Sequence, residues 1–316
     1  MRAMLSIGLA LGLAIAAHAQ NYPEKPIRVL VPFAAGTGTD IIARILTEDL
    51  RSTLNTSFVI DNRAGASGQI AAEVVAKSNP DGYTLFLSTN TPHSANPFLF
   101  KKLNYDPVKD FVPVARVIYY VFILAVSPNL GVKNTAELLA YVKANPGKTS
   151  YGFGNSTGQV NGAYLVTAAK LDSLPVPYKS TPPAMTDLIG GRIHWMFVDL
   201  AASQGHVKAG RLRAIALMGD KPWEGLPDLP PIGATVPGFD TVPWAGFFVP
   251  ARTPKAIVAK LSAEIVKTIE KPAINQRLID NGLQPAPSTP GELEQFVKQQ
   301  LVAWGRKIKD AGIQPE

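Results

Sequence analysis

The chain has 316 residues, a net charge of +7 and no cysteine. The absence of cysteine excludes disulfides, thiolate metal sites, cysteine nucleophiles and a lipid anchor on an N-terminal cysteine. With 46% hydrophobic and 17% charged residues, the composition is typical of a soluble folded protein with a sizeable core. The lysines and arginines are scattered, so nucleic acid is not an expected partner, whereas small anions are.

The N-terminal residues have the features of a secretory signal peptide. Arg2 provides a positive start, residues 5–17 form an apolar run, and Ala17-His18-Ala19 has the small-x-small pattern of a cleavage site. The apolar run is shorter than the about 20 residues that a membrane span needs, although an uncleaved anchor is the alternative. We expect residues 1–19 to be removed and a periplasmic protein to begin at Gln20.

Strand and helix patterns alternate in the first part of the mature chain. Strand patterns at residues 27–33, 58–61 and 84–88 enclose helix patterns at residues 39–54 and 70–77. This order predicts a mostly parallel, doubly wound sheet. Such sheets bind ligands at the loops beyond the carboxyl ends of their strands.

A second unit of the same kind is expected to begin near Val117. Its strand and helix patterns lie at residues 120–126, 135–144, 150–153, 159–170, 174–176, 182–188, 193–198 and 212–218. The Pro- and Gly-rich residues 221–242 predict a connecting loop. A strand pattern at residues 244–249 and helix patterns at 254–269, 273–281 and 291–311 complete the chain.

The loop Gly36-Thr37-Gly38-Thr39-Asp40 lies where a helix is predicted to begin. Its free backbone N–H groups, the positive helix end and the hydroxyls of Thr37 and Thr39 can bind an anion. A plain helix cap at Thr39 or Asp40 is the alternative interpretation. A dinucleotide-binding fingerprint is disfavoured because Ile41 occupies its third glycine position.

The loop Gly154-Asn155-Ser156-Thr157-Gly158 also precedes a predicted helix, and it matches the G-x-S-x-G pattern of serine hydrolases. A catalytic triad needs an acid and then a histidine downstream, where only His194 and His206 remain. A secreted hydrolase that uses Ser156 is therefore the alternative to a second anion-binding loop.

His93 directly follows a predicted strand, so with Ser88, Thr89 and Asn90 it could line a cleft or lie in a surface loop. The three histidines after residue 19 are dispersed and have no nearby carboxylate pairs. Neither a metal site nor a bound cofactor is predicted, and no carboxylate spacing indicates acid–base catalysis.

Motifs along residues 22–313 resemble those of one receptor family. They include Val31-Pro32-Phe33-Ala34-Ala35-Gly36, Asp61-Asn62-Arg63-Ala64-Gly65, Pro80-Asp81-Gly82-Tyr83-Thr84-Leu85, Tyr105-Asp106-Pro107-Val108-Lys109-Asp110-Phe111, Val176-Pro177-Tyr178-Lys179 and Asp187-Leu188-Ile189-Gly190-Gly191. The family is that of the substrate-binding receptors of tripartite tricarboxylate transporters, often named the Bug family.

The resemblance implies a two-lobe α/β clamshell of the type II periplasmic-binding-protein class, each lobe built on a doubly wound, mostly parallel sheet. Residues 20–116 and 221–316 would form one lobe, and residues 117–220 the other. It further implies a monomeric receptor, not an enzyme, that captures a small carboxylate for membrane transporter subunits. A sensor kinase is a further candidate partner.

Carried over by position, the resemblance implies a set of ligand contacts. These are Phe33, Ala35, Gly36, Thr37, Thr39 and Asp40, with Ser88, Thr89 and His93 nearby, and then Gly154, Asn155, Ser156, Thr157, Pro177, Tyr178 and Asp199. Gln159 or Asn161 replaces a histidine that is frequent in the family, and Phe153 takes a place that is usually small. These departures favour a more apolar or aromatic pocket wall, for an aromatic carboxylate. Two helix N-termini that face one cleft would instead hold a ligand with a carboxylate at each end.

Overall fold

The computed structural model describes residues 22–316. The expected signal peptide and the expected start at Gln20 lie outside that range. Within it, no helix is both long enough and apolar enough to cross a membrane. The described chain forms two sheets with flanking helices, which confirms the two-lobe α/β class.

As far as Thr89, strands and helices alternate as expected. In chain order, the elements of the first half are β1 (Ile27–Val31), α1 (Gly38–Thr53), β2 (Phe58–Asn62), α2 (Gln69–Ala76), β3 (Thr84–Thr89), a π-helical turn (Thr91–Ala95), α3 (Asn96–Leu99), β4 (Phe111–Tyr120), β5 (Phe122–Val126), α4 (Thr135–Ala144), β6 (Thr149–Phe153) and α5 (Ser156–Ala168).

The second half continues with shorter strands and ends in helices. Its elements are β7 (Ser173–Pro177), α6 (Thr181–Ile189), β8 (Trp195–Asp199), α7 (Leu200–Lys208), β9 (Arg213–Leu217), β10 (Trp244–Pro250), α8 (Lys255–Glu270), α9 (Pro272–Asp280), β11 (Leu283–Pro285) and α10 (Pro290–Asp310).

Both sheets are mixed rather than mostly parallel. The six-stranded sheet has the order β11-β4-β10-β3-β1-β2, in which β1, β2 and β3 are parallel and β4, β10 and β11 pair antiparallel. The five-stranded sheet has the order β7-β6-β8-β5-β9, in which only β5 pairs antiparallel with its neighbours. The antiparallel strands β4, β5, β9 and β10 are those that lead the chain from one sheet to the other.

The chain passes between the two sheets at positions that differ from the expected lobe boundaries. β4 stays in the first sheet as far as Tyr120, so the chain changes sheets at Val121 instead of Val117. The connecting segment after β9 is expected in the first lobe, but Trp223, Leu226 and Leu229 pack against the core of the second sheet. We therefore define the first lobe as residues 22–120 and 244–316, and the second lobe as residues 121–243.

The lobes also share a packed apolar contact. Val160 of α5 lies in one buried cluster with Leu99, Trp304 and Ile308 of the first lobe. At the end of α5, the Thr167 hydroxyl donates to the carbonyl of Ala311 at 3.2 Å. Helix α5 is thus held along α10, with its N-terminus directed towards the gap between the sheets.

Candidate functional site

The first polar loop forms the N-terminus of α1, as its composition predicts. The cap is Thr37 rather than Thr39 or Asp40, because the Thr37 hydroxyl accepts the Asp40 N–H at 3.4 Å and donates to the Ala34 carbonyl at 2.8 Å. The Asp40 carboxylate turns back to the loop, where it accepts from the Gly36 amide and pairs with Arg44. Burial raises the pKa of Asp40, but these hydrogen bonds outweigh it and hold the pKa below its usual value.

The second polar loop forms the N-terminus of α5 and faces the first lobe. Asn155 caps the helix by accepting from the Gly158 amide at 2.9 Å. From the opposite lobe, the Asn90 side-chain amide donates to the Thr157 hydroxyl at 3.0 Å. The hydroxyls of Thr91 and Ser156 share a hydrogen bond of 2.8 Å.

A cavity of about 20 Å³ lies between the two loops, which is room for about one water molecule. Both lobes contribute to its wall, so the structure is of a closed form. The lining residues are Phe33, Thr37, Gly38, Thr39, Thr89, Asn90, Thr91, Tyr120, Phe122, Asn155, Thr157, Thr181 and Asp199.

Asp199 is the one carboxylate in this described lining, which contains no Lys, Arg or His. It ends β8 and caps α7, with Oδ1 accepting the Ala202 amide at 2.9 Å. Across the gap, Gly38 approaches so closely that a Cβ on it would lie 2.5 Å from the same oxygen. Burial raises the pKa of Asp199 to about 6, and the amides of Ala202 and Gly38 offset part of this rise.

Tyr120 connects the cavity to the passage between the lobes. Its hydroxyl lies 2.7 Å from the Thr39 hydroxyl, and burial raises its pKa, so it stays a neutral hydrogen-bonding group. Its backbone amide donates to Pro243 at 2.9 Å, while the Met218 amide donates to Phe122 at 2.8 Å. The two connections between the lobes therefore run side by side at the edge of the cavity.

The structure brings together part of the expected site. Seven of the expected residues line the cavity: Phe33, Thr37, Thr39, Thr89, Asn155, Thr157 and Asp199. Ten do not: Ala35, Gly36, Asp40, Ser88, His93, Gly154, Ser156, Gln159, Pro177 and Tyr178. The lining also includes Thr91, Tyr120, Phe122 and Thr181, which the sequence motifs do not indicate.

His93 is the clearest departure among the expected residues. It is fully buried in the first lobe, where Nδ1 lies 2.7 Å from the Ser88 hydroxyl and the ring stacks on Phe248 with centroids 3.9 Å apart. Burial lowers the pKa of His93 to about 3, so the imidazole is neutral. The side chains of His93 and Ser88 are part of the core and do not reach the cleft.

Other expected residues have different roles next to the cavity. Gly154 provides a close approach, since a Cβ there would lie 2.1 Å from the carbonyl carbon of Ser180 at the start of α6. Pro177 is exposed, and the Tyr178 hydroxyl donates outside the cavity to Asp187 at 2.7 Å. Gln159 is partly exposed on α5.

Ser156 lacks the partners of a nucleophile. Within the described chain its hydroxyl contacts Thr91 and Asn90, and no histidine bonds to it. His194 instead bonds through Nδ1 to the amide and hydroxyl of Ser150. The hydrolase alternative is therefore not supported, because no general base is in reach of Ser156.

Comparison with known proteins identifies the receptor family that the sequence motifs resemble. The family model for the tripartite tricarboxylate transporter family receptor matches residues 42–313. A UPF0065 protein of Bordetella bronchiseptica is 35% identical over 323 residues, with 99% of this chain and 94% of that protein covered.

Two solved structures of similar proteins carry ligands. The Rpa4515 protein of R. palustris with adipate has 33% identity and a TM-score of 0.91, over 93% of this chain and 100% of that one. MatC of Rhodopseudomonas palustris with bound malate has 30% identity and a TM-score of 0.85, over 91% of this chain and 100% of that one.

Proposed function

The chain belongs to the tripartite tricarboxylate transporter receptor family, and we propose that it captures a small carboxylate between its lobes and delivers it to membrane subunits of such a transporter. The observation that carries the proposal is the convergence of two helix N-termini, those of α1 and α5, on one cavity from opposite lobes. Helix N-termini favour anions through their free amides and their positive dipole end. The proposal includes action in the periplasm, which the predicted signal peptide supports, and a monomeric receptor.

The composition of the cavity wall favours a dicarboxylate or an aromatic carboxylate. Phe33, Tyr120 and Phe122 supply apolar surface for a carbon chain or a ring. Hydroxyls and amides at Thr37, Asn155 and other positions supply hydrogen-bond donors for a carboxylate. Adipate and malate, the ligands of the two similar proteins, are both dicarboxylates.

The donors suffice without a buried arginine. A hydrogen bond to a charged group contributes about 1.5–3 kcal/mol, and each helix end contributes about 0.3–1 kcal/mol. Four such bonds reach the roughly 8 kcal/mol of a micromolar complex. Because the closed cavity has only about 20 Å³, a carboxylate enters when the lobes separate at the passage near Val121.

The proposal is tested by thermal denaturation and calorimetry of the purified mature protein with a panel of monocarboxylates, dicarboxylates, tricarboxylates and aromatic acids. An acid at 100 times its Kd should add about 2.7 kcal/mol to the free energy of unfolding. A Thr157→Ala variant should bind that acid about tenfold more weakly, whereas Thr186→Ala, on the exposed face of α6, should bind it normally. If no acid in the panel raises the melting temperature, the proposed function is wrong.

A further inference from the structure

The cavity that we assign to an anion also contains an acidic group. Asp199 is 4% exposed and lies against the N-terminus of α1, the place where an anionic ligand would otherwise be expected. The elements packed around it offer Gly38 and Thr39 from α1, Tyr120 from β4 and Ala202 from α7, and none of these carries a positive charge. The nearest acidic neighbour along α1, Asp40, is already paired with Arg44.

The chemistry of this carboxylate differs from that of every other polar group in the wall. Threonine hydroxyls and asparagine amides can donate or accept, and so adapt to either kind of ligand atom. An ionised carboxylate only accepts, and it repels a second carboxylate placed beside it. At the N-terminus of α5, the side chains of Asn155 and Thr157 bond to the Gly158 amide, Thr181 and Asn90, none of which is acidic.

We propose, resting on the proposed function, that Asp199 makes the receptor selective for carboxylates that also carry a hydroxyl or ammonium donor. The anionic end of such a ligand lies at the N-terminus of α5, at Asn155 and Thr157. The donor on the same ligand bonds to the Asp199 carboxylate. The Ala202 amide already occupies Oδ1, so a ligand without a donor leaves the remaining acceptor positions of this buried carboxylate unfilled, which is how a polar site rejects a deoxy analogue.

Matched pairs of acids test this selectivity by isothermal titration calorimetry at pH 7.5. The pairs are malate and succinate, lactate and propionate, and mandelate and phenylacetate, so that each pair differs by one hydroxyl. The wild type should bind the hydroxy acid of at least one pair about 10-fold to 100-fold more tightly than its deoxy partner. In Asp199→Asn that ratio should fall below about 3, while Asp280→Asn, an exposed control at the end of α9, should keep it.

The outcomes separate the two proposals. If acids bind but the wild type does not distinguish the members of any pair, or if Asp199→Asn keeps the full ratio, the role of Asp199 is refuted and the receptor function stands. If none of the acids binds, the receptor function is refuted and the selectivity with it. Even if Asp199→Asn does not fold, a wild type that binds both members of every pair equally refutes the role of Asp199.

Discussion

Replacing Gly38 by alanine should prevent the lobes from closing fully. Gly38 is the first residue of α1 and has no left-handed backbone conformation, so alanine is compatible with the helix itself. In the closed structure, however, the new Cβ would lie 2.5 Å from Oδ1 of Asp199 and 3.0 Å from the Tyr120 ring, against 3.4–4 Å for an ordinary contact. Asp199 is held by the Ala202 amide and Tyr120 by Thr39, so neither can yield freely.

To relieve this overlap, the lobes must move apart by about 1 Å, which lengthens the hydrogen bonds between them beyond their useful range. The free-energy cost can therefore be estimated from the hydrogen bonds that are lost. The estimate uses the three shortest hydrogen bonds between the lobes at this contact: Ala34 to Ser180 at 3.2 Å, Asn90 to Thr157 at 3.0 Å, and Thr91 to Ser156 at 2.8 Å. At about 0.5–1.5 kcal/mol each, their loss amounts to about 1.5–4.5 kcal/mol. The closed population, and with it the ligand affinity, should fall by roughly 10-fold to 1000-fold.

The assay is the Kd for the identified acid by calorimetry, together with the radius of gyration from small-angle X-ray scattering with saturating acid. Gly291→Ala is the matched control, because Gly291 lies in the first turn of α10 and a Cβ there meets no atom within 4 Å. Gly38→Ala should bind weakly and remain expanded, and Gly291→Ala should behave as the wild type. Wild-type affinity and compaction in Gly38→Ala would show that the described contact between Gly38 and Asp199 is not part of the binding-competent state.

Three further changes test the electrostatics of the site and of the contact between the lobes. Because burial raises the pKa of Asp199 from 3.8 to about 6, ionisation of Asp199 destabilises the fold as pH rises. Between pH 5 and pH 7 the wild type should therefore lose about 1 kcal/mol of unfolding free energy relative to Asp199→Asn, measured by urea denaturation. Histidine protonation is common to both proteins and cancels in this difference. The buried Lys307 ammonium lies 3.2 Å from the ring centre of Tyr164 across the lobes, so Lys307→Met should lose about 1–2 kcal/mol of unfolding free energy, whereas the exposed Lys309→Met should stay within about 0.5 kcal/mol. Finally, the wild type should hydrolyse p-nitrophenyl acetate no faster than Ser156→Ala, since no histidine activates Ser156, and a serine-dependent rate would contradict the geometry.

Hydrophobic periodicity predicts the regular elements well and the change of sheet poorly. The helix expected at residues 39–54 is observed at Gly38–Thr53, and the strand expected at 84–88 at Thr84–Thr89. By contrast, residues 117–126 form one apolar run that contains no turn residue, although the chain passes from one sheet to the other within it. A chain that changes sheets without a turn leaves no local signal in the sequence, because the strands on either side, β4 and β5, both bury apolar side chains.

The part of the site that is local in sequence is also the part that could be predicted. A small polar residue before a helix indicates a cap, and Thr37 and Asn155 both cap helices that face the cavity. Tyr120 and Thr181 line the same cavity only because the lobes close over it, which no local pattern encodes. The expected place of His93 in the cleft is wrong for the converse reason: Phe248, on which its ring stacks, is far away in sequence.

In the closed structure, each lobe already provides acceptors for the helix ends of the other. The Ser156 amide at the start of α5 donates to Thr91 of the first lobe at 3.3 Å, and the start of α1 meets Asp199 of the second. The binding free energy that a ligand carboxylate gains is therefore only the difference between its own hydrogen bonds and those that it replaces. This difference is small for each bond. The penalty for a lining group left without a partner is larger than this gain. Discrimination between acids must therefore depend on which groups in the wall remain unpaired, more than on how many bonds the ligand forms.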